Sequence, residues 1–212
     1  MSKLIIQWHG HSCFTVSANQ YAIVLDPHEP DSVPGLAPLS LTANQVLCSH
    51  THGDHGCVEA VRITAADGPN PFQISVINTW HDDAQGALRG PNRIHILEAE
   101  GLRVAHMGDI GCRLTDSQAE LLKNLDAILI PVGGFYTIDA SQAKELICRL
   151  SPKVVVPMHY RSDDFGLPAI GVLDDFTRLC DDVVLYNGDS IEIDKQIGRQ
   201  TAVLKLNKSG EF

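Results

Sequence analysis

Apolar residues along this chain come in short runs, many alternating with polar ones, and most runs are closed by a turn-forming residue. Alternation or continuous apolarity over about four to eight residues marks a strand. The pattern predicts strands at Leu4–Trp8, Phe14–Val16, Tyr21–Leu25, Val46–Cys48 and Ile74–Ile77. It predicts further strands at Ile94–Leu97, Leu102–Ala105, Ile128–Val132, Val154–Val156 and Val183–Tyr186, with Ser190–Ile193 strand-like as well. Helical spacing appears at Thr115–Leu125, Ala140–Leu150 and Val172–Cys180, with Thr115 and Asp139 as N-caps. Pro27, Pro30, Pro34 and Pro38 make a loop, Gly68-Pro69-Asn70-Pro71 a turn, and Asn207–Phe212 a frayed tail. No repeat, low-complexity tract or linker interrupts the pattern. With 44% of its 212 residues hydrophobic, the chain suits one substantial core, a single domain over residues 1–212. Strands with interspersed helices predict a layered α/β domain.

The densest chemistry is His50-Thr51-His52-Gly53-Asp54-His55, three imidazoles and a carboxylate on a glycine-containing loop. Imidazole nitrogen and carboxylate oxygen are the donors that a catalytic divalent metal such as Zn²⁺ takes. The run leaves the predicted strand around Val46. From such a loop His50 and His52 can share one ion, while Asp54 and His55 lie further round and can reach a second. A solvated polar turn is the bland alternative, and the scarcity of histidine speaks against it. Other donors follow predicted strands: His81-Asp82 after Ile74–Ile77, His106 and Asp109 after Leu102–Ala105, His159 after Val154–Val156. One histidine after a strand is usually structural. Their recurrence at strand ends is what a site at one sheet edge requires.

With these residues in place the chain resembles the metallo-β-lactamase superfamily, whose hallmark is H-x-H-x-D-H followed by a separate His, an Asp and a last His. Trp8-His9-Gly10-His11-Ser12, Leu25-Asp26-Pro27, His106-Met107-Gly108-Asp109, Pro131-Val132-Gly133-Gly134 and Pro157-Met158-His159-Tyr160 look most like its UlaG/YtkL-like group of small metal-dependent hydrolases. The resemblance implies a four-layer αββα sandwich with metals at the sheet edge. It implies His50, His52 and His81 on one ion, Asp54, His55 and His159 on a second, and Asp109 bridging. His106 and His95 compete with His81 for its position, and Cys57 is a weaker candidate ligand. The ions expected are two divalent metals, Zn²⁺ first, with Mn²⁺ or Fe²⁺ accepted by the same donors.

Two such ions would turn a bridging water into a hydroxide near neutral pH. Metal-dependent hydrolysis of a small-molecule ester, lactone, amide or phosphodiester is therefore expected, with Asp54 and Asp109 as the catalytic carboxylates. Asp26 is expected behind a ligand imidazole, fixing its tautomer, or else as a turn residue before Pro27. His11, Arg89, Asn92, Tyr160 and Arg161 are the substrate-facing candidates, and the pair Gly133-Gly134 is expected to allow close backbone packing behind the site.

Charge and cysteines narrow the classes. The net charge is −10, with 16 basic against 26 acidic residues and no basic run, which disfavours a nucleic-acid substrate. Six scattered cysteines without a C-x-x-C pair read as small buried hydrophobes, and no export signal opens the sequence, so a cytoplasmic location is expected without a membrane span. A di-iron redox protein of the same fold would carry a carboxylate at His52. A non-catalytic metal-binding or regulatory protein is the other alternative.

Overall fold

Fourteen strands and three α-helices make up the described residues, 2–206, of the computed structural model; the tail expected to fray lies outside them. The strands are β1 (Lys3–Gly10), β2 (Cys13–Ala18), β3 (Tyr21–Leu25), β4 (Leu41–Ala43), β5 (Gln45–Leu47), β6 (Val61–Ile63) and β7 (Gln73–Trp80). They continue as β8 (Pro91–Ala99), β9 (Leu102–His106), β10 (Ala127–Pro131), β11 (Val154–Met158), β12 (Val183–Leu185), β13 (Ser190–Asp194) and β14 (Gln200–Val203). The helices are α1 (Asp116–Leu121), α2 (Ala140–Leu150) and α3 (Leu173–Thr177).

Two sheets carry the architecture, one in the order β13-β1-β2-β3-β5 and one in the order β12-β14-β11-β10-β9-β8-β7. Alternation in β1 buries Leu4, Ile6 and Trp8 on one face, where they meet a core that includes Ile94, Val104, Leu129 and Val156 of the other sheet. β10 and β11 are buried along their whole length, as near-continuous apolar runs in parallel strands require. The outward face of the smaller sheet is closed by the ribbon β4-β6, through Cys13, Val24, Ala43 and Val61. The three α-helices lie in the connections from β9 to β10, β10 to β11 and β11 to β12, all strands of the larger sheet. Among the described residues no helix is long and apolar enough to cross a membrane.

Strand direction places the chemistry. β3 and β5 are parallel, and β1, antiparallel to β2 as β2 is to β3, runs the same way. β9, β10 and β11 are parallel, and β7 runs with them across two antiparallel pairings. The C-terminal ends of β1, β3, β5, β7, β9 and β11 therefore deliver His11, Asp26, His50, His81, Asp109 and His159. Ligands outside the carboxyl ends of strands follow the usual rule for α/β sheets.

Helix ends depart from the pattern-based expectation. The chain leaves α1 after Leu121, where Leu122 and Leu125 turn into the core and Asn124 takes a left-handed conformation, φ 58°. α3 is likewise shorter than Val172–Cys180. Thr115 and Asp139 both close reciprocal capping boxes, with Gln118 and Gln142. β4, β6 and β14 are strands that periodicity missed. Three- and four-residue segments are too short to establish a period, and β14 is identified only by its parallel pairing between β11 and β12.

Candidate metal centre

Two groups of side chains meet at this edge, each with its ligand atoms within 4.8 Å of one another, and a third, Asp26 with His50 and His55, joins them from behind. The first is His50, His52 and His81; the second is His11, Asp54, His55 and His159. Asp109 lies between them. Its Oδ2 is 3.3 Å from His81 Nε2 in the first group, and 3.2 and 3.1 Å from His55 and His159 Nε2 in the second. These approaches are not aligned as hydrogen bonds. His50 Nε2, His55 Nε2, His159 Nε2 and Asp109 Oδ1 are all buried without a hydrogen-bond partner. Buried polar atoms are rarely left so, and several orphaned donor atoms converging on one place fit a bound cation.

Charge gives the same answer. Asp26 and Asp109 are buried and Asp54 half-buried, yet among the described residues their ion-pair partners are all histidines, with no lysine or arginine. Isolated buried carboxylates are costly unless a positive charge compensates them. Burial pushes the Asp109 carboxyl up, but His159 and His55 beside it hold it well below the usual carboxylate range. His50 and His11 go the other way: burial first, then neighbouring imidazoles, lowers each to about 3, so both stay neutral as a metal ligand must.

A shared support lies behind the ligands. Asp26, fully buried and itself left-handed at φ 46°, accepts from His55 Nδ1 at 2.8 Å, from the Ser49 N–H at 2.6 Å and from the Ser49 hydroxyl at 2.5 Å. Because the Ser49 hydroxyl gives its one proton to Asp26, its oxygen receives His50 Nδ1–H, 2.9 Å away. Both imidazoles thereby present Nε2 to the site. His81 is fixed in the same way, Nδ1–H donating to the Tyr136 carbonyl at 3.1 Å. Asp26 is thus both a turn residue and the anchor of two imidazoles.

Several expected roles change. His11 does not face substrate. It is fully buried, its ring centroid 4.1 Å from that of His159 and its Nε2 3.3 Å from Asp54 Oδ2, inside the second group. Asn92 is also fully buried: its amide donates to Thr79 Oγ1 and the Met107 carbonyl, and its Oδ1 accepts from the Asp109 N–H at 2.9 Å. It shapes the Asp109 loop instead of touching substrate. Tyr160 and Arg161 point away because His159 is left-handed, φ 54°, and reverses the chain. Tyr160 packs against Trp8 and Phe165, and Arg161 Nε donates to the Ile170 carbonyl. Ser49 carried no signal in the sequence; a serine after a strand looks like any other. The expected close packing at Gly133 is real, since a Cβ there would lie 2.2 Å from the His159 carbonyl oxygen.

His106 donates Nε2–H to the Ser12 carbonyl and accepts the Gly108 N–H at Nδ1, so neither nitrogen is free for a metal. His95 pairs with it across β8 and β9, and neither joins a ligand group. His81→Ala is therefore expected to lose one bound ion, while His106→Ala and His95→Ala keep the wild-type content. Elemental analysis of the three variants checks this, and loss confined to either of the latter would reverse the assignment.

The groups open into a pocket of about 350 Å³, with His52, Asp54, His81 and Asp109 lining it beside Arg89 and Tyr136. That size suits a small molecule.

The sequence matches the β-lactamase superfamily domain over residues 5–159, a span that includes every residue of both groups. The chain belongs to the metallo-β-lactamase superfamily. It is 32% identical to a candidate Zn-dependent hydrolase of that superfamily from Thermotoga maritima, whose crystal structure matches at TM-score 0.76 over 96% of this chain and 100% of that one. A UPF0173 metal-dependent hydrolase from Thermoplasma acidophilum is 27% identical over 195 residues, 77% of this chain and 86% of that protein. A metallo hydrolase from Ignicoccus hospitalis shares the fold at TM-score 0.66 and 21% identity, over 92% of this chain and 100% of that one. Superfamily membership explains the shared fold and the order of the metal-type residues.

Proposed function

We propose that this metallo-β-lactamase superfamily member is a metal-dependent hydrolase holding two divalent ions, one at His50, His52 and His81, the other at Asp54, His55 and His159 with His11 beside it. Asp109 is shared by both. The observation that carries this reading is the single Asp109 oxygen within 3.3 Å of imidazoles from both groups. Zn²⁺ is the first choice for this donor set, with Mn²⁺ and Fe²⁺ compatible. When bound, such ions supply Lewis-acid polarisation and lower the pKa of water.

The chain's own residues do the rest. Asp54 reaches the pocket with its pKa held well below the usual range: burial raises it, but His11 and His55 outweigh that. It is therefore ionised at neutral pH and serves as a hydrogen-bond acceptor that orients an attacking water. Arg89 and Tyr136 on the pocket wall receive the part of the substrate away from the reacting bond. A pocket of this size and a net charge of −10 favour a small-molecule ester, lactone, amide or phosphodiester over nucleic acid.

The test is elemental analysis combined with a broad hydrolysis screen. Reconstituted protein should carry two divalent ions per chain, His159→Ala should selectively weaken one, and chelation should abolish turnover that Zn²⁺ or Mn²⁺ restores. Trace metal after reconstitution would sink the reading.

A further inference from the structure

We infer that Arg89 is an anion-binding residue of this pocket and Asp82 the residue that positions it, so that the substrate carries a carboxylate or phosphoryl group besides the bond that is cleaved. This rests on the hydrolase reading above and names its substrate class.

Between Trp80 and Pro91 the chain leaves the sheet in a loop whose tip, Leu88, is 70% exposed. Exposed loop tips ordinarily wander. This one is wrapped around a single carboxylate. Asp82 Oδ1 accepts from the N–H groups of Ala84 and Gly86, both at 2.9 Å, and Oδ2 from those of Leu88 at 3.1 Å and Arg89 at 2.7 Å. Both ends are tied as well, His81 N–H to the Gly90 carbonyl and Gly90 N–H to that of Gly86. Gly86 lies so close to Trp80 that a Cβ would sit 2.6 Å from its ring. The loop is therefore fixed to His81, and Arg89 is fixed with it.

The Arg89 side chain lines the same pocket as His52, His81 and Asp109, with its guanidinium carbon 5.6 Å from the centre of the Tyr136 ring. At that distance the ring supports the cation. The Tyr136 carbonyl also receives His81 Nδ1–H, so the wall that carries Arg89 and a metal-type imidazole share one support. Asp82 takes the Arg89 backbone N–H, and no carboxylate among the described residues pairs with the guanidinium. In a chain with 26 acidic residues, this half-buried arginine is held in place without an acidic partner. A guanidinium fork matches carboxylate and phosphoryl oxygens alike.

The experiment compares 4-nitrophenyl acetate with mono-4-nitrophenyl succinate on metal-quantified wild type, Arg89→Gln and Asp82→Asn. Wild type should favour the anionic ester, and Arg89→Gln should cut that preference roughly tenfold to a hundredfold, the range for losing a hydrogen bond to a charged group. Asp82→Asn should cut it in the same sense by raising KM for the anionic ester; an equal fall in kcat for both esters would mean that Asp82 acts on stability alone and overturn its positioning role. Titration with succinate, and separately with inorganic phosphate, followed by tryptophan fluorescence, tells carboxylate from phosphoryl preference without any need for turnover. Equal affinity of wild type and Arg89→Gln for both anions overturns the proposal. Arg89-dependent binding without hydrolysis of any ester supports it and overturns the hydrolase reading instead.

Discussion

Asp26→Ala is expected to loosen both ligand groups at once, although Asp26 contacts no substrate. Its carboxylate orients His55 directly and His50 through the Ser49 hydroxyl. One side chain thus sets the tautomer of an imidazole in each group. Burial would raise its pKa, but His106, His55 and Ser49 together lower it to about 2, so it is an anion under all ordinary conditions. Alanine leaves the Ser49 N–H, the Ser49 hydroxyl and His55 Nδ1–H without an acceptor in a fully buried place. Each orphaned group costs about 1–3 kcal/mol, and loss of such outer support typically weakens metal affinity by about 10–100-fold. Chelator titrations should show both ions released earlier, and melting should fall with and without metal. A variant whose ions resist the chelator as in wild type would refute the shared anchor.

Legibility of this molecule in its sequence follows the range of the interactions. The run His50–His55 is local, so its ligand character survives without knowledge of the fold, and the strand-end positions of His81, Asp109 and His159 followed from apolar runs alone. A layered α/β domain was readable because β1, β10 and β11 carry strong patterns, whereas the sandwich itself came only from the resemblance carried by the metal-type residues. Roles that depend on where the chain turns next were not readable. Tyr160 and Arg161 adjoin His159 in sequence but are turned away by one left-handed residue, and nothing in their identity announces it. Asn92 lies on the edge-facing end of β8, yet its amide is consumed by Thr79, Met107 and Asp109. His11 follows Gly10 in the β1–β2 turn, at φ 48°, and only the docking of that turn against β11 brings it to His159. Eleven described non-glycine residues are left-handed, and three of them, His11, Asp26 and His159, are in this site, where each reverses the chain just after a strand.

Asp109→Ala should have the largest effect of any single substitution. The Asp109 carboxylate oxygen approaches imidazoles of both groups on the pocket side, so on the proposed two-ion reading it is placed to contact both cations, offset their mutual repulsion and set their separation. Removing any one imidazole leaves the other group with its donors; removing Asp109 depletes both. Turnover should be abolished and occupancy should fall at both positions, by more than the roughly 10–100-fold typical of an outer residue. Its backbone gives an internal control. Asn92 holds the Asp109 N–H, and Gly108 before it, left-handed at φ 54°, would press a Cβ to 2.3 Å from Asn92 Oδ1. The loop is therefore shaped largely by Asn92 and Gly108, and the Asp109 carboxylate is free to serve the metals. If Asp109 only shaped the turn, alanine would lower the melting temperature and leave metal content and turnover intact. If it joins the two groups, metal and turnover are lost together while the metal-free protein melts near the wild-type temperature. Measuring all three quantities on one preparation separates the cases, and early melting with both ions retained would return Asp109 to the role of a turn residue.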